Sequence, residues 1–139
     1  MEIEFLILAD SVQAVSGKMY MLGGGWDRWS TGAYPAQTQI GIAIGLLVPW
    51  EDTNRRQRVS VTVVDEDGKA IIPAISSEFE VGRPAGMREG VSQRAMIAIN
   101  AGFPLPHPGR YEVVASAPDG LEKKVSFEAV VQSTGSVRL

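Results

Sequence analysis

Alternation of side chains with a period of two is the feature that most constrains this chain. Four segments place an apolar residue at every second position: residues 40–47, 58–63, 110–115 and 124–129. Successive side chains of a β-strand point to opposite faces, so this period puts one face of each segment on a core. The 15 glycines and 8 prolines interrupt most stretches that are long enough for a helix. The sequence therefore predicts an all-β protein with little or no helix.

Eight strands are predicted from this periodicity and from the turns that separate the apolar runs. They are Glu2–Ala9, Lys18–Leu22, Gln39–Val48, Arg58–Asp65, Ser77–Val81, Gln93–Ile99, Arg110–Ala117 and Lys123–Val131. Turns are expected at Ser16–Gly17, Asp65–Gly68 and Pro118–Gly120, and a stiff connector at Pro104–Pro108. Trp50–Asn54 could form one helical turn, and Ala70–Ile72 a short ninth strand. We expect a two-sheet antiparallel β-sandwich, immunoglobulin-like, forming a single domain over residues 1–139, with a closed barrel as the alternative.

The counts of cysteine and histidine exclude several classes of chemistry. There is no cysteine among the 139 residues, which rules out disulfides, a thiolate nucleophile and cysteine-ligated metal sites. The single histidine, His107, cannot form a chelate of several histidines, and an ordinary exposed histidine is its expected role. The sequence contains no nucleophile elbow and no dinucleotide fingerprint. We therefore expect a protein that is not an enzyme, with no catalytic residues, no metal and no cofactor.

The charge of the chain argues against nucleic acid and anionic membranes as partners. With 13 basic and 16 acidic residues the net charge is −3. The one basic cluster is Arg55, Arg56 and Arg58, for which a solvated loop before a strand is preferred over a phosphate-binding patch. The acidic start Met1–Glu4 and the short apolar run Phe5–Ala9 differ from a secretory signal, and no window is long enough for a membrane span. The expected location is the cytoplasm.

Two predicted strands are apolar on both faces, in the segments Phe5–Leu8 and Ile40–Leu47. The second face of the latter carries Gly41, Ala43 and Gly45, whose small side chains leave a strip that another surface can approach closely. Packing within the chain or a bend is preferred for this strip, and a subunit contact is the alternative. The leading hypothesis is a protein-interaction or structural module that forms a homo-oligomer or belongs to a bacterial assembly.

The most unusual segment is the run Gly23–Gly25 followed by Trp26, Asp27, Arg28 and Trp29. Glycines in succession favour a bulge or a strand that switches between sheets, which is the preferred interpretation. The functional alternative is a loop whose two indoles stack on a carbohydrate or metabolite, while Asp27 and Arg28 bond its polar groups. Residues three apart on an extended segment face opposite ways, which weakens a two-tryptophan platform. These four side chains are the candidate ligand-binding residues.

Acidic residues raise two further hypotheses. Asp10 could cap a turn at Ser11–Val12, which is preferred, or could meet Asp27 as a carboxylate pair for acid–base hydrolysis. The acidic run Asp65–Asp67 lacks the ligand spacing of a calcium-binding EF-hand loop, and a turn is preferred there.

The longest irregular segment expected is Val81–Ser92, which contains Arg83 and Arg88. A disordered crossover is preferred for it over a clamp for an anionic partner.

Short motifs along the first half of the chain resemble an uncharacterised bacterial family of small all-β proteins. The motifs are Ala9–Asp10, Gly17–Lys18 and Gly23–Asp27, followed by Thr53–Asn54, Val59–Val64 and Asp65–Gly68. Farther on, Pro108–Tyr111 resembles the last hairpin of many bacterial immunoglobulin-like sandwiches. The resemblance implies the sandwich fold. It implies no activity, ligand or catalytic residue, because none is established for that family.

Overall fold

The computed structural model describes residues 1–132 and is built almost wholly of β-strands. The strands are β1 (Glu2–Ala9), β2 (Ser11–Val15), β3 (Lys18–Leu22), β4 (Arg28–Thr31), β5 (Ala36–Val48), β6 (Arg56–Val64), β7 (Ile75–Glu80), β8 (Gln93–Leu105), β9 (Gly109–Ser116) and β10 (Glu122–Val131). A single 3-10 turn at Trp50–Asp52 is the only helical element in this part of the chain. The prediction of an all-β fold with little helix is confirmed. The last seven residues of the predicted domain, 133–139, lie outside the described residues.

No helical segment within residues 1–132 has the length and apolar character of a membrane span.

Residues 1–132 form ten strands, two of which, β2 and β4, are absent from the prediction. Of β2 only Val12 is buried, so it shows no period of two, and β4 is only four residues long with no fully buried side chain. The turn expected at Ser11–Val12 is the start of β2 instead. The connector expected at Pro104–Pro108 is also wrong at its start, because β8 continues through Pro104 to Leu105. Proline is tolerated there since β8 lies at an edge of its sheet.

The strands form three sheets in a sandwich-like arrangement, and one of the sheets is curled into a half-barrel. The strand orders are β1-β5-β8, β4-β10-β9-β6-β7 and β2-β3. All pairs are antiparallel except β4 with β10, which run parallel with Arg28 opposite Glu128. The predicted two-sheet antiparallel sandwich is therefore confirmed as a sandwich-like β-structure, to which the structure adds a third, two-stranded sheet and one parallel pair. Parallel neighbours require a long connection, and β4 and β10 are separated by residues 32–121.

The main core lies between the three-stranded and five-stranded sheets. Alternate residues of the central strands are fully buried there, including Ile40, Ile42, Ile44 and Leu46 of β5 and Val59, Val61 and Val63 of β6. Full burial of such a side chain contributes roughly 1.5–3 kcal/mol. The period-two pattern therefore identified the core face of these strands correctly.

A tyrosine near the start of β9 closes the bend that joins it to β8. The hydroxyl of Tyr111 donates to the carbonyl of His107 at 2.6 Å, and its ring stacks on Phe127 with 5.5 Å between centroids. Burial raises the pKa of the Tyr111 hydroxyl, and the carboxylates of Asp65 and Glu66 raise this pKa further, against the opposing effect of the hydrogen bond to His107. A tyrosine bonded to the backbone a few residues upstream is a feature of immunoglobulin-type sandwiches.

The second face of the three-stranded sheet is covered by other parts of the same chain. The ring of Phe5 lies over Gly45, in the space that a side chain would fill, and the backbone of Ser11 lies over Gly41. Ala43 is fully buried in a small second core with Ala9 and Val12. Packing within the chain, the preferred interpretation of this strip of small residues, is confirmed.

Candidate functional site

Exposed apolar side chains are concentrated on the hairpin formed by β2 and β3. Among residues 1–132, five large hydrophobic residues are exposed, and four of them lie here: Val15 at 41%, Tyr20 at 54%, Met21 at 38% and Leu22 at 72%. We call these four residues the hairpin surface. The fifth, Val131, is 54% exposed at the end of β10. Concentration on the segment Ser11–Leu22 distinguishes the hairpin from an ordinary surface, where such residues are scattered.

The hairpin is formed by a two-residue turn. Ser16 and Gly17 both have positive φ, 51° and 74°, which is the conformation of the tight turns that match the twist of paired strands. The turn sets Val15 opposite Lys18, and the pairing continues to Ser11 opposite Leu22. Sequence analysis identified this turn and β3, but not the strand β2 that pairs with it.

One face of the hairpin packs on the three-stranded sheet and the other faces outward. Val12 is buried against Ala9 and Ala43, and Met19 is half-buried beside them. Because side chains alternate along a strand, Tyr20 and Leu22 lie on the face opposite Met19. The outward face therefore carries Val15, Tyr20 and Leu22 together with the polar Gln13 and Lys18, whereas Met21, opposite Val12, lies on the packed face.

The outer edge of β2 is anchored by the side chain of Asn100 on β8. The N–H of Val12 donates to Asn100 Oδ1 at 3.0 Å, and Asn100 Nδ2 donates to the carbonyl of Val12 at 2.9 Å. The side-chain amide thus takes the place that the backbone of a neighbouring strand would occupy. The backbone groups of Val12 point away from β3 as a result.

The outer edge of β3, in contrast, pairs with no strand in the part of the chain that the structure describes. In an antiparallel pair of strands, residues whose backbone N–H and C=O groups bond to the partner strand alternate with residues whose backbone groups point away from it. The backbone groups of Val12 point away from β3, so those of Met21, which lies opposite Val12, point away from β2. The backbone groups of Met19, two residues earlier, do the same. β3 contains no proline, and its one charged residue is Lys18 at its start, a residue type that natural proteins use to protect such edges.

Four consecutive apolar residues, Met19 to Leu22, are the sequence signal that could have indicated this surface. A strand with one buried face alternates, whereas a strand that is apolar on both faces needs a second cover. Sequence analysis applied that reasoning to Ile40–Leu47, where the cover is intramolecular, and did not apply it to β3.

The glycine-rich segment carries the chain from the hairpin to β4 in the five-stranded sheet. Gly23 and Gly25 have positive φ, and the N–H of Gly25 donates to the carbonyl of Leu8 at 2.7 Å. The preferred interpretation, a strand switch between sheets, is confirmed. The carboxylate of Asp10 lies against Gly23, directly after the end of β3.

The four candidate ligand-binding residues divide into two pairs. Trp26 and Trp29 are half-buried against the main core, where Trp26 meets Phe127 edge-on at 5.8 Å and Trp29 meets Tyr34 at 6.5 Å between ring centroids. The indole Nε1 of Trp26 is buried and has no hydrogen-bond partner. Asp27 and Arg28 are exposed. The structure therefore packs both indoles on the core and leaves the two charged side chains facing solvent.

Asp27 and Arg28 line a polar pocket of about 260 Å³. Its other lining residues are Arg110, Ser126, Phe127 and Glu128. Arg110 donates to the hydroxyl of Ser126 at 2.9 Å, which holds its guanidinium on this surface. Asp10, the proposed partner of Asp27 in a carboxylate pair, is not among the lining residues.

The turn at Asp65 is stabilised by the aspartate itself. Its Oδ1 accepts from the N–H groups of Asp67 and Lys69, each at 2.9 Å, and Gly68 supplies the positive φ. The preferred interpretation of this acidic run as a turn is confirmed. Within residues 1–132 no group of three or more acidic or histidine side chains is arranged to hold a metal ion.

Other charged residues make local ion pairs or cation–π contacts. Arg56 and Arg58 both bind Glu78, at 3.2 and 2.9 Å, and the hydrogen bond and charge of Arg58 are the largest causes that lower the pKa of the Glu78 carboxyl. Arg83 stacks on the ring of Trp50 at 3.8 Å and donates from Nε to the hydroxyl of Thr53. The loop expected to be a disordered crossover is therefore tied down at its start.

His107 is exposed, as expected, and its ring stacks on Tyr111. It also lines a pocket of about 400 Å³ together with Pro35, Pro104, Pro106 and Ile71, and with Asp65, Lys69 and Ala70. Its Nδ1 lies 2.9 Å from the carbonyl of Pro108. These contacts account for the histidine as part of the bend before β9.

A family model matches most of the chain. The family model described as "Family of unknown function (DUF6941)" matches residues 4–130, which extend from β1 into β10. No curated protein matches the chain.

Proposed function

The chain belongs to the DUF6941 family of unknown function, and from that premise we propose that it is a non-enzymatic protein-interaction module. It binds through the hairpin surface, as a homo-oligomer or as part of a bacterial assembly, in the cytoplasm. The observation that carries this proposal is the gathering of four of the five exposed large apolar side chains on one hairpin. Exposed apolar side chains gathered on one element favour a protein contact, whereas such residues are scattered on an ordinary surface.

The rigidity of the hairpin supports the same function. Val12 is packed into the second core, and Asn100 fixes the backbone of β2 from the other side. A surface held in one conformation before binding loses less conformational entropy when a partner arrives. Tyr20 adds an aromatic side chain with a polar tip, a residue type enriched at protein interfaces.

The module is an immunoglobulin-like sandwich in this proposal. The hydrogen bond from Tyr111 to the carbonyl of His107 supports that assignment, because the same bond recurs at a corner of immunoglobulin-type domains. The parallel pairing of β4 with β10 is a local addition at one edge of the larger sheet.

The test compares association of the purified protein with that of two variants. Tyr20→Ser combined with Leu22→Ser removes most of the apolar hairpin surface, while Val131→Ser removes an equally exposed apolar residue elsewhere. Size-exclusion chromatography with light scattering, over a range of protein concentrations, should show association of the wild type and of Val131→Ser but not of the double variant. Circular dichroism verifies that all three are folded.

Two results would contradict the proposal. A wild-type protein that is strictly monomeric and co-purifies with no partner leaves the hairpin surface without an occupant. Equal loss of association in Val131→Ser and in the double variant shows that the hairpin is not where contact is made.

A second candidate function is supported by the pocket beside β4. Asp27 and Arg28 line it with Arg110, Ser126 and Glu128, a set of charged and hydroxyl groups suited to the polar edge of a carbohydrate or metabolite. In this proposal Trp26 and Trp29 form the apolar border of the site. Titration of a panel of sugars and metabolites should change the tryptophan fluorescence of the wild type and leave that of Arg28→Ala unchanged. Identical responses from the two proteins would exclude Arg28 from the site.

A further inference from the structure

We propose that a pocket at the start of β6 binds a small molecule that carries a phosphate monoester, through the guanidinium groups of Arg55, Arg56 and Arg58. The pocket has a volume of about 530 Å³, which lies within the usual range for small-ligand sites. Among the described residues it shares none with the pocket beside β4 and none with the hairpin surface. The proposal therefore adds a separate binding site to the protein.

Strand pairing places the three arginines at one end of the five-stranded sheet. Arg56 and Arg58 are two residues apart on β6, so their side chains lie on the same face, opposite to that of the buried Val59. Arg58 lies opposite Glu78 of β7, and Arg55 directly precedes β6. The outer side of the sheet therefore presents three guanidinium groups to one pocket.

The turn between β9 and β10 supplies another wall of this pocket. Ser116 of β9 lies opposite Ser60 of β6, which brings the residues after Ser116 beside the start of β6. Of these residues, Ala117, Pro118 and Asp119 line the pocket. Ala117 and Pro118 are the apolar part of this wall, and the organic group of the ester would pack against them. The pocket thus has room and an apolar contact for more than a bare phosphate ion.

The three acidic residues that line the pocket are all bonded within the protein. Asp52 Oδ2 lies 3.1 Å from the amino group of Met1, and Asp119 Oδ1 accepts from the N–H of Leu121 at 3.1 Å. The third, Glu78, is shared by two of the arginines. Among these acids, only Glu78 is therefore paired with an arginine.

Glu78 uses a small part of the donor capacity of the arginines. Its Oε2 accepts from Nη1 of Arg56 at 3.2 Å, and its Oε1 accepts from Nη2 of Arg58 at 2.9 Å. Arg55 makes no ion pair within residues 1–132. A guanidinium group carries five N–H donors in a planar fork, whose geometry matches the oxygens of a phosphate. The terminal oxygens of a phosphate monoester can therefore bind more than one of these groups at once.

The carboxylate of Glu78 shows where the anionic group of the ligand would lie. The hydrogen bond and charge of Arg58, followed by those of Arg56, lower the pKa of the Glu78 carboxyl, so this position favours negative charge. The side chains of Arg56, Arg58 and Glu78 are 79%, 54% and 43% exposed. Ion pairs this exposed contribute little to stability, so an incoming anion can displace Glu78 into solvent at small cost. A phosphate monoester carries about 1.5 to 2 negative charges at neutral pH, more than the carboxylate that it replaces.

Isothermal titration calorimetry at low ionic strength tests the site with glycerol phosphate, phenyl phosphate and adenosine monophosphate, and with inorganic phosphate for comparison. At least one of the esters should bind the wild type more tightly than inorganic phosphate does. Arg55→Gln and Arg58→Gln should each weaken this binding by at least about tenfold, because each removes charge-assisted hydrogen bonds. Arg88→Gln, an equal charge change on an exposed side chain outside the pocket, is the matched control and should bind like the wild type. Circular dichroism verifies that the variants are folded.

Glu78→Gln tests the position of the phosphate group. This substitution removes the carboxylate that competes for Arg56 and Arg58, so the same ester should bind at least about threefold more tightly than it binds the wild type. Glu80→Gln makes an equal charge change two residues along β7, at an exposed side chain that does not line the pocket. It should bind like the wild type, which separates direct competition from a change in net charge.

Four results would overturn the proposal. The first is that none of the three esters binds the wild type. The second is that Arg88→Gln loses as much affinity as Arg55→Gln and Arg58→Gln, which would show attraction to net charge instead of a site. The third is that inorganic phosphate binds as tightly as every ester, which would leave the apolar wall without a role. The fourth is that Glu78→Gln binds no more tightly than Glu80→Gln, which would place the anion away from Glu78.

Discussion

The side-chain amide of Asn100 makes two hydrogen bonds to the backbone of Val12, at 3.0 and 2.9 Å, across 88 residues of sequence. The amide reproduces the donor and acceptor of a peptide group, so it satisfies both groups of Val12 at once. This contact fastens the hairpin to β8 and decides which edge of the hairpin remains open.

Asn100→Ala should destabilise the protein by about 1–3 kcal/mol, because the N–H and carbonyl of Val12 lose their partners in a partly buried place. Urea unfolding measures the change, and Gln13→Ala on the outward face of the same hairpin serves as the control with little effect. Amide hydrogen exchange at Val12 should also become faster. Unchanged exchange at Val12 would show that the hairpin is held by packing alone.

Gly45→Ala should destabilise the protein by about 1–3 kcal/mol, since the added methyl group overlaps the ring of Phe5. Gly102→Ala is the matched control, because its nearest neighbour, Gln37 Nε2, would be at 3.6 Å, an ordinary contact. Thermal unfolding should separate the two variants. Addition of Phe5→Leu to Gly45→Ala should recover part of the lost stability. If the losses of the two single variants simply add in the double variant, the overlap between the methyl group and the ring of Phe5 is contradicted.

Tyr111→Phe should lower the free energy of unfolding by about 0.5–1.5 kcal/mol at neutral pH, through loss of the hydrogen bond to the carbonyl of His107. Tyr20→Phe removes a hydroxyl from an exposed ring and should have no comparable effect on the monomer. Denaturant unfolding at one low protein concentration compares the two variants. Equal losses of unfolding free energy in both variants would show that the hydrogen bond from Tyr111 to the carbonyl of His107 contributes nothing specific.

The stability that Tyr111 contributes should also depend on pH. Burial raises the pKa of its hydroxyl in the folded protein above the value of about 10 in the unfolded chain. Its contribution is therefore complete below pH 10 and is lost as the pH rises through the folded pKa. The stability of the wild type should fall in this alkaline range more steeply than that of Tyr111→Phe. Parallel curves for the two proteins would contradict the raised pKa.

Sequence alone determined the class of the fold and the inward face of its main strands. Val59, Val61 and Val63 alternate with polar residues, and all three are fully buried. The turns at Ser16–Gly17 and Asp65–Gly68 were equally readable. Periodicity and turn chemistry are properties of neighbouring residues, so they can be recognised without knowledge of the rest of the chain.

Only part of the candidate site could be predicted from the sequence. Sequence analysis selected Trp26, Asp27, Arg28 and Trp29 by their residue types, and the structure packs both indoles on the core. It treated Met19–Leu22 as one more apolar strand. Whether an apolar strand is buried or exposed depends on which elements pack against each face, and that is not a local property.

Tertiary structure decided the rest, because the deciding contacts join distant parts of the chain. Phe5 covers Gly45, Asn100 occupies the edge of β2, and β4 pairs in parallel with β10. Each of these contacts needs the chain to be folded before the partners meet. The alternation of apolar residues established that there would be a core, whereas only the folded chain showed that the small-residue strip is covered and that no strand of residues 1–132 pairs with the outer edge of β3.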